Sequence, residues 1–155
     1  MIIPVAEVRR KARRYVGEAP ADLLELESDA FVRPRGPVRY DLWASLIVSE
    51  LLVRGTLEVE VTCQCARCAE AFDTVARVPE FCRSYPVAEE NESIDLSGDL
   101  REELLLAFPI NWMCLPACRG LCPHCGVNKN RQPCACQEAP PATPWDALDR
   151  WRKPS

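Results

Sequence analysis

The stretch Leu57-Glu-Val-Glu-Val-Thr-Cys63-Gln-Cys65-Ala-Arg-Cys68 holds two patterns end to end. Leu57, Val59 and Val61 alternate with Glu58, Glu60 and Thr62, the period of two that marks a strand with one buried face. The alternation then runs into cysteines, so the strand ends in a cysteine-bearing turn. Upstream, Val38, Tyr40, Leu42, Ala44, Leu46 and Val48 fall on one side of a second strand, and downstream Val75, Val78 and Phe81 form a third apolar run. Three strands in succession with short connections predict an antiparallel meander or a partly open barrel, with Cys63 to Cys68 capping one hairpin.

Outward from this sheet the pattern changes. Val5, Val8, Ala12 and Val16 recur at helical spacing with Arg9, Arg10, Lys11, Arg13 and Arg14 between them, which predicts a short basic amphipathic helix over 4–16. A loop through Gly17 to Pro20 follows. Leu23, Leu24 and Leu26 then lead toward Phe31 as strand or helix, and Arg33-Pro34-Arg35-Gly36-Pro37 reads as a turn. Residues 86–97 are acidic and poor in apolar side chains, which predicts a loop. Ser97 can cap a helix through Phe108, with Leu100, Leu104, Leu105 and Phe108 on one face, and Pro109 stops it. Pro140, Pro141 and Pro144 precede a tail, Trp145 to Trp151, that can dock by its apolar residues. The expected fold is α+β, an antiparallel sheet with a few short helices and a cysteine-rich, zinc-stabilised C-terminal module. It is expected as one domain over 1–155: helix and linker in 1–36, strands in 37–85, an acidic loop in 86–96, and helix plus zinc module in 97–155.

A chain of 155 residues, 48% apolar and 27% charged, has room for one modest core and none for a large catalytic barrel. The longest uncharged stretch, Leu104 to Cys118, is broken by Pro109 and Pro116 and falls short of the roughly 18 residues of a membrane span. The start, MIIPVAEVRRKARR, places apolar residues before basic ones, the reverse of a secretory signal, so a cytoplasmic location is expected. In that reducing compartment the 10 cysteines are read as metal ligands before disulfides. The single histidine, His124, lies inside the densest cysteine cluster. There is no serine–histidine pair with an orienting acid, no phosphate-cradling glycine loop and no carboxylate dyad, so neither an enzyme nor a small-molecule substrate is expected.

The formal charge of -4 is unevenly spread, with the N-terminal arginines at one end and Glu89, Glu90, Glu92, Asp95, Asp99, Glu102 and Glu103 clustered later. Eight thiolates around two zinc ions would add four further negative charges. Contact with nucleic acid must then come from local basic patches.

The C-terminal array is Cys114-x3-Cys118-x3-Cys122-x2-Cys125-x8-Cys134-x-Cys136. Cys122-Pro-His-Cys125-Gly126 reads as a zinc knuckle: two thiolates three residues apart share one ion, turn amides donate to sulfur, and the glycine permits the tight turn. Cys65 and Cys68 supply another pair. The proposed partition joins Cys65, Cys68, Cys114 and Cys118, and separately Cys122, Cys125, Cys134 and Cys136; by spacing alone Cys118 can serve either site. Four thiolates close the coordination sphere, so two structural ions are expected. Reduced packing cysteines are the bland alternative. The spacing Cys118-x3-Cys122-x2-Cys125 also fits a radical S-adenosylmethionine iron–sulfur site, but those enzymes close a much larger barrel. A dithiol redox role for Cys65-x2-Cys68 lacks the expected βαβ context.

Val61-Thr-Cys-Gln-Cys65-Ala-Arg67-Cys68-Ala-Glu70-Ala-Phe72, then Asp95-Leu96, Glu102-Glu103-Leu104-Leu105-Leu106-Ala107-Phe108-Pro109, then Cys118-Arg-Gly120-Leu121-Cys122-Pro-His-Cys125-Gly126-Val-Asn128-Lys-Asn130, together resemble the YceD family over about residues 38–150. The chain departs from the family at Lys129, where leucine is usual, and at Thr143-Pro144-Trp145. Cys63 and Cys82 fall outside the recurring pattern. These bacterial and plastid proteins are linked to accumulation of large-subunit ribosomal RNA, so the resemblance implies a non-enzymatic factor in large ribosomal subunit assembly. Its expected partners are ribosomal RNA, the pre-ribosomal particle, or ribosomal and assembly proteins. Candidate RNA contacts are Arg9, Arg10, Arg13, Arg14, Lys129 and Arg131, with Asn128 and Asn130 adding hydrogen bonds. Trp112, Trp145 and Trp151 serve either as packing residues or as stacking surfaces. The alternative is a zinc-stabilised protein-interaction or regulatory module that does not touch nucleic acid.

Overall fold

The computed structural model describes residues 1–89 and 92–136. Its frame is a five-stranded antiparallel sheet centred on β5, Glu50–Gln64. Along one edge β5 pairs first with β4, Val38–Ile47, and further on with the short β3, Val32–Pro34. Along the other edge it pairs with β6, Ala71–Pro86, for nearly its whole length. β2, Arg13–Ala19, adds to the outer edge of β4. Two short strands, β1 at Ile2–Pro4 and β7 at Ser93–Asp95, pair separately. The sheet does not close into a barrel.

One face of the sheet carries the core. Val38, Leu42 and Ala44 of β4 and Leu51, Val53, Leu57, Val59 and Val61 of β5 are at most 1% exposed, as their alternation requires. Val78 and Phe81 are both buried although three residues apart, because β6 takes three steps where β5 takes two between Gly55 and Leu57. This bulge restores both side chains to the core face. The face is covered by α1, Val5–Val8, packed on β4, and by α2, Ser97–Leu106, packed on β5, β6 and a 3₁₀ turn at Ala21–Leu24. Ile3, Val8, Leu24, Leu96, Leu100 and Leu104 come down onto it. Each such side chain contributes about 1.5–3 kcal/mol through loss of water contact.

Three expectations are corrected. The basic helix over 4–16 forms only at Val5–Val8, and residues 13–19 are a strand. Ala12 and Val16, which would have continued the helical stripe, are exposed, whereas Tyr15 and Ala19 turn inward at period two beside β4. The hydrogen bonds offered by the open edge of β4 outweigh a weak helical pattern. The acidic loop contains β7, whose Ile94 pairs with Ile3. Ser97 is the first residue of α2 and does not cap it; the Asp95 carboxylate accepts the Ser97 N–H at 3.0 Å. Pro140, Pro141, Pro144 and the tail from Trp145 to Trp151 lie outside the described residues.

The helix is also tied to the sheet by charge. Arg83 of β6 reaches Glu103 at 2.8 Å and Glu102 at 3.4 Å, and the Tyr85 hydroxyl donates to Asp99 at 2.6 Å. These partly exposed pairs add at most about 1 kcal/mol each beside the apolar contacts.

Gly55 is the tightest point of the sheet: a β-carbon there would lie 2.0 Å from the Asp41 carbonyl oxygen and 2.8 Å from the Leu42 α-carbon. Backbone cannot yield as a side-chain tip does. Gly55→Ala is therefore expected to destabilise the protein by about 3 kcal/mol, read as a shift of the urea midpoint.

Candidate metal centres

The hairpin between β5 and β6 ends in a tight turn. The Cys65 N–H donates to the Glu70 carbonyl at 2.8 Å and the Ala69 N–H to the Cys65 carbonyl at 2.9 Å, which turns Cys65 and Cys68 to the same side. Ala69, just after the second cysteine, has φ of 57°. The chain returns to this tip after α2. Trp112 packs edge-on against Phe108 with ring centres 5.4 Å apart, and its carbonyl accepts the Ala66 N–H at 2.8 Å. That docking delivers Cys114 and Cys118. Cys65 and Cys118 sulfurs are 3.8 Å apart, Cys68 and Cys114 sulfurs 3.7 Å, and all four lie within 4.8 Å of one another.

A second turn repeats the first. The Gly126 N–H donates to the Cys122 carbonyl at 2.9 Å, and Gly126, again the residue after the second cysteine, has φ of 72°. Cys122 and Cys125 thus face Cys134 and Cys136, with sulfurs 3.2 Å apart for Cys122–Cys134 and 3.6 Å for Cys125–Cys134. These four also lie within 4.8 Å. The spatial groups are four and four, Cys118 standing with the hairpin. Cys63 is buried in the main core, where burial pushes its thiol up to about 11, and Cys82 is exposed on β6; neither joins a group.

Both groups fit a tetrahedral metal. Thiolates about 2.3 Å from an ion place sulfurs roughly 3.8 Å apart, the spacing seen in the first group. Burial raises the Cys65 thiol, but amide groups of Cys114, Cys68 and Arg67 outweigh it and bring it down to about 6. Amides of Cys125 and His124 bring Cys122 down to about 6 as well. Beside them, burial pushes Cys114 up to about 12, and hydrogen bonding with Cys134 and Cys125 does the same for Cys136. Each group thus holds one thiol ready to ionise and another that ionises only when a cation offsets the crowding of charge.

Residues around the sulfurs have roles that the sequence did not disclose. The Asn130 side-chain amide donates to the Cys118 sulfur at 3.3 Å and lowers that thiol, while its oxygen accepts the Arg119 N–H at 2.8 Å. It also donates to the Asn128 side-chain oxygen at 2.9 Å. The asparagines read as RNA contacts are therefore engaged inside the module, and Asn130 links the loop of one group to a sulfur of the other. Arg67, between the hairpin cysteines, donates to the Cys118 carbonyl at 3.0 Å, and its own carbonyl accepts the Leu121 N–H at 2.9 Å. Its place inside the Cys65-x2-Cys68 turn was the available signal.

The six candidate RNA contacts do not share one surface. Arg9 and Arg10 follow α1, and Arg13 and Arg14 lie on β2, with Arg13 bonded to Glu7 and Arg14 held by both oxygens of Asp41 at 2.8 and 2.6 Å. Lys129 and Arg131 lie in the loop between the knuckle and Cys134, where Arg131 meets Glu70 at 2.7 Å. Arg14 stands across β4 from Arg54 of β5, and from Arg54 to the hairpin end at Gln64 the strand runs about 30 Å.

Two substitutions test the paired turns. Left-handed backbone costs a residue with a β-carbon about 1–2 kcal/mol, so Gly126→Ala is expected to lower stability by about 1 kcal/mol and Ala69→Gly to raise it by a similar amount in denaturant titration. Asn130→Ala is expected to weaken metal binding at the first group about tenfold, measured by chelator competition.

Comparisons with known proteins come from sequence alone, since no solved structure matches the chain. An uncharacterised protein of Mycobacterium tuberculosis (strain ATCC 25618 / H37Rv) is 28% identical over 107 residues, covering 60% of this chain and 52% of its own length. An uncharacterised protein of Mycobacterium leprae (strain TN) is 26% identical over 129 residues, covering 74% of this chain and 56% of its own. The chain thus spans about half the length of the curated relatives it matches. Residues 83–150 match the model of the family described as large ribosomal RNA subunit accumulation protein YceD, so the family that the cysteine motifs resemble is the family that this stretch of the chain matches.

Proposed function

We propose that the chain is a zinc-stabilised factor in large ribosomal subunit assembly that acts by binding in the cytoplasm and catalyses no reaction. The family match supplies the subject. The observation that carries the zinc reading is burial: from Ala107 to Cys136 the only buried residues are Cys118, Gly120 and Cys122. A segment without apolar side chains in a core of its own is ordered around sulfur. Ordering costs about 1–2 kcal/mol per residue in backbone entropy, and structural zinc supplies apparent binding energies of about 10–16 kcal/mol in small modules. Four thiolates per ion leave no open coordination position, which makes the role structural.

In this reading Cys65, Cys68, Cys114 and Cys118 hold one ion and Cys122, Cys125, Cys134 and Cys136 the other. The ordered module presents Lys129 and Arg131 to ribosomal RNA, with Arg119 exposed nearby. Arg9, Arg10, Arg13 and Arg14 form a separate contact at the far part of the sheet. A second reading, contact with ribosomal or assembly proteins only, draws support from Arg13, Arg14 and Arg131, each of which already carries a carboxylate partner.

Elemental analysis of reduced protein is expected to give about two zinc ions per chain, and less than about one refutes the metal reading. Binding to a large-subunit RNA fragment is expected to fall with salt, the logarithmic slope becoming shallower by about one for each phosphate-contacting cation removed. Lys129→Gln with Arg131→Gln should show this loss with the metal retained. A flat salt response selects the protein-only reading. Deletion in the host is expected to lower mature large-subunit RNA relative to small-subunit RNA, and an unchanged ratio counts against the ribosomal assignment.

A further inference from the structure

The two cysteine groups differ in how they meet solvent. In the first, Cys65, Cys68 and Cys118 are 2–4% exposed, Phe72 packs against them, and Arg67 and Asn130 brace Cys118. In the second, only Cys122 is buried; Cys134 is partly exposed and Cys125 and Cys136 are exposed. A cavity of about 130 Å³ is lined by Cys122, Cys134 and Cys136 together with Arg119, His124 and Lys129.

We propose that the Cys122, Cys125, Cys134 and Cys136 group is an oxidation site that releases its metal to solvent when a peroxide oxidises its sulfurs, while the hairpin group keeps its own. This rests on the metal reading above. The Cys125 thiolate, the most open to solvent of the pair it forms with Cys134, attacks one oxygen of hydrogen peroxide; the O–O bond breaks, hydroxide leaves, and the sulfur becomes a sulfenic acid. The Cys134 thiolate, whose sulfur is 3.6 Å away, then attacks that sulfur and displaces a second hydroxide, forming the Cys125–Cys134 disulfide. Two thiolates have lost two electrons, peroxide has gained them, and two protons from solvent convert both hydroxides to water. Only Cys122 and Cys136 remain as donors, two short of a closed tetrahedral sphere.

The consequence is local. Loop 123–133, which carries Lys129 and Arg131, loses the closure that presents it, while the sheet and the hairpin group stay in place. Oxidation therefore removes the RNA-contacting loop without unfolding the scaffold, and reduction in the presence of zinc restores it.

The experiment uses zinc-loaded full-length protein carrying Cys82→Ser, since Cys82 is exposed, belongs to neither group and would oxidise independently. Elemental analysis before oxidant confirms two equivalents, and a protein that takes up none fails the metal reading at that step. Hydrogen peroxide is then added with a chromogenic chelator, and disulfides are mapped by mass spectrometry. The expected result is loss of one of the two zinc equivalents, a Cys125–Cys134 disulfide, and Cys65, Cys68, Cys114 and Cys118 still reduced. Simultaneous release of both equivalents, or oxidation of the hairpin group first, overturns the proposal. Timed iodoacetamide labelling of the same unoxidised protein gives an independent reading: Cys125 and Cys136 are expected to label before Cys65, Cys68 and Cys118, and equal labelling also overturns it.

Discussion

The meeting of the β5–β6 hairpin tip with the chain that returns after α2 is the contact on which the C-terminal module depends. It is made by Phe108 and Trp112 packing edge-on, by the Ala66 N–H bonding the Trp112 carbonyl, and by four sulfurs drawn from both partners. Among the described residues beyond Pro109, further ties to the hairpin run through Arg67, whose side chain and carbonyl each bind the incoming chain, and through the Arg131–Glu70 ion pair. The sheet has an apolar core of its own. Among its described residues the module buries only Cys118, Gly120 and Cys122, so under the proposed metal reading its order follows the ligation of cysteine instead of the exclusion of water.

That division explains why the two halves were legible to different degrees. Strong alternation in 38–48 and 57–62, with the apolar run Val75, Val78 and Phe81, pointed to the three long strands, because a sheet with one buried face writes its period directly into the sequence, although β4 ends at Ile47 and both Val48 and Val75 are exposed. The cysteine groups were legible because thiolates three residues apart are a local signature that needs no knowledge of the fold. The grouping of Cys118 with the hairpin, proposed from the sequence and found in space, was not fixed by spacing. Its spacing to Cys122 equals its spacing to Cys114, and only the return path set by Trp112 decides between them.

The N-terminal segment failed for a different reason. Val5 and Val8 do begin a helix, and the helical pattern continues through Ala12 and Val16, but Tyr15, Gly17 and Ala19 offer a competing period of two on the other face. The decision belonged to β4, whose open edge lies far away in sequence, so tertiary hydrogen bonding overrode a local pattern. Asn130 failed for yet another reason. An asparagine in a basic loop can face solvent or sulfur equally well, and its role appears only when Cys118 stands 3.3 Å from its amide.

Placing the basic residues on the fold changes what a binding mechanism can look like. Arg13 and Arg14 on β2 stand about 30 Å of β5 away from the hairpin end that carries the cysteine module. A single RNA duplex groove cannot be gripped by both sets as one continuous patch. Arg14 is clamped by both Asp41 oxygens, and Arg13 shares Glu7 with the Tyr15 hydroxyl, so using them for phosphate means exchanging existing partners. In the module Arg131 is held by Glu70, which lies at the hairpin tip. The ion pair between Arg131 and Glu70 ties the loop of the exposed cysteine group to the hairpin of the buried one. Under the proposed RNA reading, Arg131 reaches phosphate only by exchanging Glu70 for it, and the Asn130–Cys118 hydrogen bond is then the tie that still joins the loop to the hairpin group.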